Sequence, residues 1–239
     1  MPTISVTMTL DCLLVSHDQE VVRVLRPALE MLSINLEVCS GAHSGRQILS
    51  SEKFDAVVID CDDLQGGMEV LKDLRQEASN KNSVTFAILN GKTTTQQSFD
   101  MGTNFVLQKP IQPLNALRCF SAALGLMTRE RRRYYRVPVD VPAIISFADV
   151  PALKVTATNL SEGGMAIQTT GKLPKNSIEK VQFTLPGTHT SMEPKAELAW
   201  ADGSGRAGIR FIEVPQTSRE QMDRWLTAHI DELESNSAR

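Results

Sequence analysis

Aromatic residues are scarce in this 239-residue chain: two Trp, two Tyr and eight Phe, 5% in all. So few rings leave no evident stacking face of the kind that single-stranded nucleic acid requires. Cysteine is also sparse. Cys12, Cys39, Cys61 and Cys119 form no CxxC and no His/Cys ligand spacing, and all lie in apolar stretches of the first half. They read as reduced core residues, which suits a reducing cytoplasm and excludes a zinc site or disulfide framework. Charge of one sign is lacking too, since the net charge of −3 rules out binding polyanions by bulk charge. No stretch reaches about 18 consecutive apolar residues, and the start, MPTISVTMTLDCLLVS, has no basic region. The expectation is therefore no signal peptide, no membrane contact and a cytoplasmic location. None of His17, His43, His189 and His229 sits in a recognisable nucleophile setting. With no metal or cofactor spacing either, the chain reads as a binding protein and not an enzyme.

What is present falls into two halves. Over the first 126 residues, short apolar runs alternate with helical patterns. The runs are Cys12–Ser16, Leu36–Cys39, Phe54–Asp60, Val84–Leu89 and Phe105–Gln108. Between them, Glu20–Leu32, Ser44–Leu49, Met68–Gln76 and Thr95–Met101 have helical spacing, and Pro113 suits the first turn of a helix through Leu126. Five strand–helix units predict an α/β domain: a five-stranded parallel sheet with helices on both faces. After Arg136 the pattern changes to short alternating runs punctuated by Gly, Pro and Asn: 143–147, 153–158, 164–169, 181–185, 195–201 and 207–211. These predict a small antiparallel β-barrel. A C-terminal helix follows, with Ser218 and Gln221 as a capping box and Met222, Trp225, Leu226, Ile230 and Leu233 as its apolar stripe. The expected domains are 1–127 and 128–239, with 128–136 a linker and arginine loop. Residues 1–128 carry 10 Lys/Arg against 14 Asp/Glu, net −4, and residues 129–239 carry 15 against 14, net +1.

Five arginines fall within RERRRYYR: Arg129, Arg131, Arg132, Arg133 and Arg136. Crowded guanidiniums repel one another and attract anions. Their planar forks match phosphate oxygens and the O6/N7 edge of guanine. Twenty-three residues beyond Arg136 begins Asn159-Leu160-Ser161-Glu162-Gly163-Gly164. On a strand Asn159 and Ser161 face the same side, and the glycines permit a sharp turn and close approach. Taken singly, the first run also reads as a solvated helix end and the second as a hairpin turn.

Together they resemble the PilZ domain, whose RxxxR loop precedes (D/N)xSxxG at a barrel strand. Here the matching residues are Arg132 and Arg136, then Asn159, Ser161 and Gly164. AELAWADGSGRAGIRF is similar to the family's later hairpin, with Trp200 expected to pack the barrel. The resemblance covers about residues 131–230 and implies recognition of cyclic di-GMP: arginines on phosphates and guanine edges, Asn159 and Ser161 bonding from the barrel, Gly164 leaving room. An arginine just before the first motif arginine, here Arg131, is associated in that family with a stacked pair of ligands, so two molecules per chain are implied.

In the first half, FDAVVID ending at Asp60 and FVLQKP bearing Lys109 resemble a response-regulator receiver over about residues 10–126. The resemblance implies phosphoryl transfer to Asp60, with Lys109 pairing the phosphoryl group. Two acids after the first strand would help hold Mg²⁺, but His17 and Asp18 occupy those positions. Asn90 stands for the usual hydroxyl residue, Val106 for the aromatic switch and Leu64 for a proline. Losing a carboxylate weakens an oxygen-ligated Mg²⁺ site, so a pseudo-receiver for docking or dimerisation is expected. The implied whole is a cyclic di-GMP effector coupling ligand binding to the receiver-like domain or a protein partner, with Met127–Arg136 as hinge and a homodimer compatible. The alternative is a phosphorylation-dependent regulator using Asp60, Asp18 and Lys109, its barrel a protein-interaction module. A nucleic-acid binder is disfavoured by the +1 charge of the second half.

Overall fold

The computed structural model describes residues 9–77, 79–170, 173–174 and 177–237. It divides into two units, Met1–Arg131 and Arg132–Arg239.

In the first unit, β1 (Leu10–Val15), β2 (Ile34–Cys39), β3 (Ala56–Asp60), β4 (Val84–Leu89) and β5 (Phe105–Gln108) form a parallel sheet ordered β2-β1-β3-β4-β5. The apolar runs are nearly continuous because both faces of the central strands are covered. Leu10, Cys12 and Leu14 of β1 join a core with Val58, Phe86 and residues of α1 (Gln19–Glu30) and α5 (Pro113–Tyr134). Leu13 and Val15 point the other way, into a core with Val57, Ile59 and residues of α2 (Ala42–Ser51) and α3 (Gly67–Leu74). A short α4 (Thr95–Asp100) is started by a capping box between Thr94 and Gln97. In this topology ligands bind at the carboxyl ends of the strands, and Asp60 ends β3 while Lys109 directly follows β5.

The second unit contains β6 (Val137–Phe147), β7 (Leu153–Ser161), β8 (Gly164–Gln168), β9 (Ile178–Thr184), β10 (Ser191–Met192), β11 (Lys195–Ala201) and β12 (Arg206–Glu213). Their order is β10-β9-β11-β12-β8-β7-β6, and pairing of β9 with β6 closes a six-stranded antiparallel barrel, with β10 a short addition along β9. Val141, Ala143, Ile145 and Phe147 of β6 alternate into its core. Helix α6 (Gln216–Ser237) buries Met222, Trp225, Leu226 and Ile230, as the apolar stripe predicts.

Three expectations change. The arginine run is not a loop: α5 stays helical through Tyr134. Leu124 and Met127 still pack on the core, Lys53 pairs with Glu130 at 2.9 Å, and arginine suits both a helix interior and a helix C-terminus. Strand β6 begins at Val137, earlier than Pro138 and Pro142 suggest; both prolines are exposed, and a bulge lies between Pro138 and Val141. Helix α6 begins before Ser218, so no capping box forms there, and Gln221 instead accepts a hydrogen bond from Thr190 Oγ1 at 2.6 Å.

Candidate functional site

Two polar sites stand out, one in each unit. In the barrel unit, the backbone of Arg132 accepts a hydrogen bond from the Glu162 amide at 2.9 Å, which joins the arginine run to the β7–β8 turn. Arg132 Nε lies 3.3 Å from Glu162 Oε2, and Nη2 lies 3.3 Å from Asp223 Oδ2 on α6. Arg136 is exposed, and its Nη1 reaches Asn159 Oδ1 at 3.5 Å, the long limit of a hydrogen bond. That same oxygen accepts from the Ala166 amide at 3.1 Å, which fixes the orientation of Asn159. Arg132, Arg136 and Asn159 are thus brought together.

Register extends this rim into a row. Asn159 is opposite Ala166, Ala166 opposite Gly208, and Gly208 opposite Trp200, so the four share one face of the sheet. Trp200 is 46% exposed and does not pack the barrel interior. Its indole lies across Gly208, where an added Cβ would collide with Nε1. Small residues therefore form a floor bounded at one end by Arg136 and Asn159 and at the other by an aromatic ring.

Ser161 and Gly164 are placed differently from expectation. Ser161 is fully buried, and its hydroxyl donates to the Gly164 carbonyl at 3.1 Å. A Cβ at Gly164 would overlap the Ile209 carbonyl oxygen of β12. Both residues build the turn.

Arg131 belongs to the first unit. Its guanidinium, 4% exposed, donates to Asp55 Oδ2 at 2.6 Å and approaches Asp11 Oδ2 at 3.2 Å within the first unit. Burial raises the Asp55 pKa, and the Arg131 charge opposes that rise. One helical residue spans about 100° of arc, so successive arginines on α5 project in different directions.

In the first unit, Lys109 Nζ donates to Asp18 at 2.8 Å, Asp60 at 2.9 Å and Asp63 at 2.8 Å. Burial disfavours the ammonium, but the three carboxylates outweigh it and lift the Lys109 pKa above its ordinary value. Lys109 in turn holds Asp18 and Asp63 below the usual carboxylate range. Asp60 is 0% exposed; Ser16 Oγ donates to its Oδ2 at 2.8 Å, and among the described residues its buried Oδ1 has no hydrogen-bond partner. His17, which occupies an expected acid position, is exposed. Asp63, missed in the sequence although it sits in the IDCDD run, supplies the third acid.

Ligand atoms of Asp18, Asp60 and Asp63 lie within 4.8 Å of one another. Lys92 Nζ also pairs with Asp63 Oδ1 at 3.3 Å, so three carboxylates face two ammoniums and one negative charge stays uncompensated; hard oxygen donors suit Mg²⁺, so these residues fit the ion that a receiver implies. Asn90 donates to Asp63, while Asp62 Oδ2 accepts the amides of Asn90 at 2.8 Å, Lys92 at 3.0 Å and Thr93 at 3.2 Å. Burial would raise the Asp62 pKa, but these bonds lower it and pin the loop after β4.

Residues 12–118 match the response regulator receiver domain and residues 130–228 the PilZ domain. The chain therefore carries a receiver domain followed by a PilZ domain, the domain pair of a signalling protein. A curated relative, the UDP-forming cellulose synthase catalytic subunit of Xanthomonas axonopodis pv. citri (strain 306), is 35% identical over 102 residues, 42% of this chain and 13% of that protein. The chain thus spans only a small part of that relative's length. A putative response regulator from Chloroflexus aurantiacus J-10-fl is similar at 19% identity over 50% of this chain and 98% of its own, TM-score 0.44. The chemotaxis response regulator CheY4 of Vibrio cholerae is similar at 16% identity over 48% and 98%, TM-score 0.45. Among the described residues, no helix is long and apolar enough to cross a membrane.

Proposed function

We propose that this protein is a cytoplasmic cyclic di-GMP effector that binds the dinucleotide on the barrel rim without catalysing a reaction. The observation that carries the reading is the convergence of Arg132, Arg136 and Asn159 at one end of a small-residue floor closed by Trp200. Arginine forks bind phosphate oxygens and guanine O6/N7 bidentately. The exposed indole, lying over Gly208, offers a planar base a stacking partner beside Ala166. Binding is transmitted to the receiver domain or to a protein partner.

One ligand per chain is the ratio expected on this rim. The pair of ligands suggested by the sequence would enlist Arg131, and withdrawing that guanidinium from Asp55 would strand a buried carboxylate at a cost of about 3–5 kcal/mol. Calorimetric titration with cyclic di-GMP tests both points. Wild-type affinity weaker than about 100 µM, equivalent to about 5.5 kcal/mol, sinks the reading. A ratio of two would mean that Arg131 joins the ligand.

A second reading of the first unit is favoured by the buried, unpartnered Asp60 Oδ1 beside Lys109 and two further acids. On this reading Asp60 accepts a phosphoryl group from a small phosphodonor: an O–P bond forms at Asp60 and the bond to the departing group breaks. Lys109 holds the carboxylate and the incoming charge in place, and a divalent cation held by Asp18, Asp60 and Asp63 would neutralise further charge there. Intact mass after incubation with acetyl phosphate and Mg²⁺ tests this. A single phosphoryl addition, lost in Asp60→Asn, is the supporting result.

A further inference from the structure

The fork of Arg132 that would grip a ligand is already occupied. Nε and Nη2 lie on the same edge of a guanidinium, one of the edges that gives bidentate recognition. Nε faces Glu162 and Nη2 faces Asp223, each at 3.3 Å. The Arg132 side chain is 14% exposed and that of Glu162 is 11% exposed, so solvent screens this contact only in part. The two acids come from separate elements, Glu162 from the β7–β8 turn and Asp223 from α6. Asp223 is poorly satisfied where it stands, because its Oδ1 is buried without a hydrogen-bond partner among the described residues. An acid held in that way regains solvation when it leaves.

We propose that Glu162 and Asp223 are internal competitors for the ligand, resident carboxylates that occupy the Arg132 fork and so set the affinity and selectivity of the rim. This rests on the cyclic di-GMP reading above. An incoming phosphate takes the fork by displacing both acids. Glu162 stays beside the site, since its amide is bonded to the Arg132 carbonyl, and it repels anions that make no other contacts. A ligand must therefore add contacts at Arg136, Asn159 and the Trp200 floor to displace the acids, which excludes free phosphate and mononucleotides. Release of Asp223 removes the tie between Arg132 and α6, so ligand exchange is registered on that helix.

The test is titration of the full chain with cyclic di-GMP, and separately with GMP, for wild type, Glu162→Gln and Asp223→Asn. Both substitutions keep side-chain shape and sit on different elements, so misfolding of one leaves the other informative. Each is expected to bind cyclic di-GMP about 3–5-fold more tightly, the scale of a partly screened ion pair. Glu162→Gln should also gain measurable GMP binding. In wild type, cyclic di-GMP should speed amide exchange in the α6 turn around Asp223, an effect absent in Asp223→Asn. Wild-type binding with both variants unchanged or weaker overturns the inference and leaves the cyclic di-GMP reading standing. No binding by any of the three proteins overturns that reading, and the inference with it. Binding by Glu162→Gln alone supports both.

Discussion

Lys109 in the receiver domain and Arg132 in the PilZ domain are each surrounded by carboxylates drawn from distant parts of the chain, but the balance of charge differs. Lys109 makes three contacts of 2.8–2.9 Å, one of them to the fully buried Asp60. Three acids against Lys109 and the more exposed Lys92 leave negative charge in excess, so the site attracts cations. On the rim, Arg132 makes two looser contacts of 3.3 Å, and Arg136 adds a second guanidinium. Two arginines against two acids leave no excess, and displacing the acids exposes a cationic fork. Tight, over-acidic packing builds a place for metal or phosphoryl chemistry. Loose, balanced packing builds a place where partners are exchanged.

Arg131 is the sharpest way to break this comparison, because it neighbours Arg132 yet shares the buried geometry of the receiver side. Arg131→Leu should lower the stability of the receiver domain by about 3–5 kcal/mol, since Asp55 loses its buried cation. Chemical denaturation followed by circular dichroism measures this, and a loss under about 1 kcal/mol would place the pair among surface contacts. Arg132→Ala should do the opposite. Stability should change by less than about 1 kcal/mol, while cyclic di-GMP affinity falls by about 2–3 kcal/mol, or about 30–150-fold. Equal losses of melting temperature in the two variants would erase the distinction.

A smaller effect tests the excess acid around Lys109. Mg²⁺ at ten times its dissociation constant should raise the stability of the receiver domain by about 1.4 kcal/mol. Asp63→Asn should remove most of that gain. A Mg²⁺ response that survives Asp63→Asn would show that Asp63 is not a ligand.

The smallest effect is in pH. Asp18 and Asp63 have lowered pKa values in the folded state, so their contribution is present above the ordinary carboxylate value of about 3.9 and is lost as pH falls through the lowered values. Asp55 is raised, so its contribution is present in acid and lost as pH rises through its folded value. The two ends of one sheet oppose each other, and the acid limb of the stability curve should be shallow. Lys109→Met removes the main cation that lowers Asp18 and Asp63 and should leave the Asp55 trend, so stability should then fall as pH rises through the raised Asp55 value.

Periodicity made the strand–helix alternation and the barrel strands legible, because core burial imposes those periods directly. Arg132, Arg136 and Asn159 were legible as motifs. The partners of those arginines were not. Glu162 lies within the second motif, but nothing in its spacing points to Arg132, and Asp223 is 91 residues away from it. Arg131 and Arg132 look alike in sequence, and only helical continuation of α5 separates their directions. Asp63 was not legible, because an acid in the loop three residues beyond Asp60 carries no periodicity of its own. The structural part that Ser161 and Gly164 play in the turn was not legible, because a motif records which residues are required without saying whether the turn or the ligand requires them.

The chain has two tryptophans, and their surroundings give each a separate optical character. Trp225 is buried, donates from Nε1 to the Pro186 carbonyl at 2.8 Å and stacks on His229 at 4.0 Å between ring centroids. An imidazole so close quenches indole emission, and increasingly so once protonated. Trp200, spread over Gly208 in contact with solvent, should emit at longer wavelength and dominate the unquenched signal. The protein thus carries its own fluorophore at the end of the rim, and a guanine laid on that floor should dim it without any label.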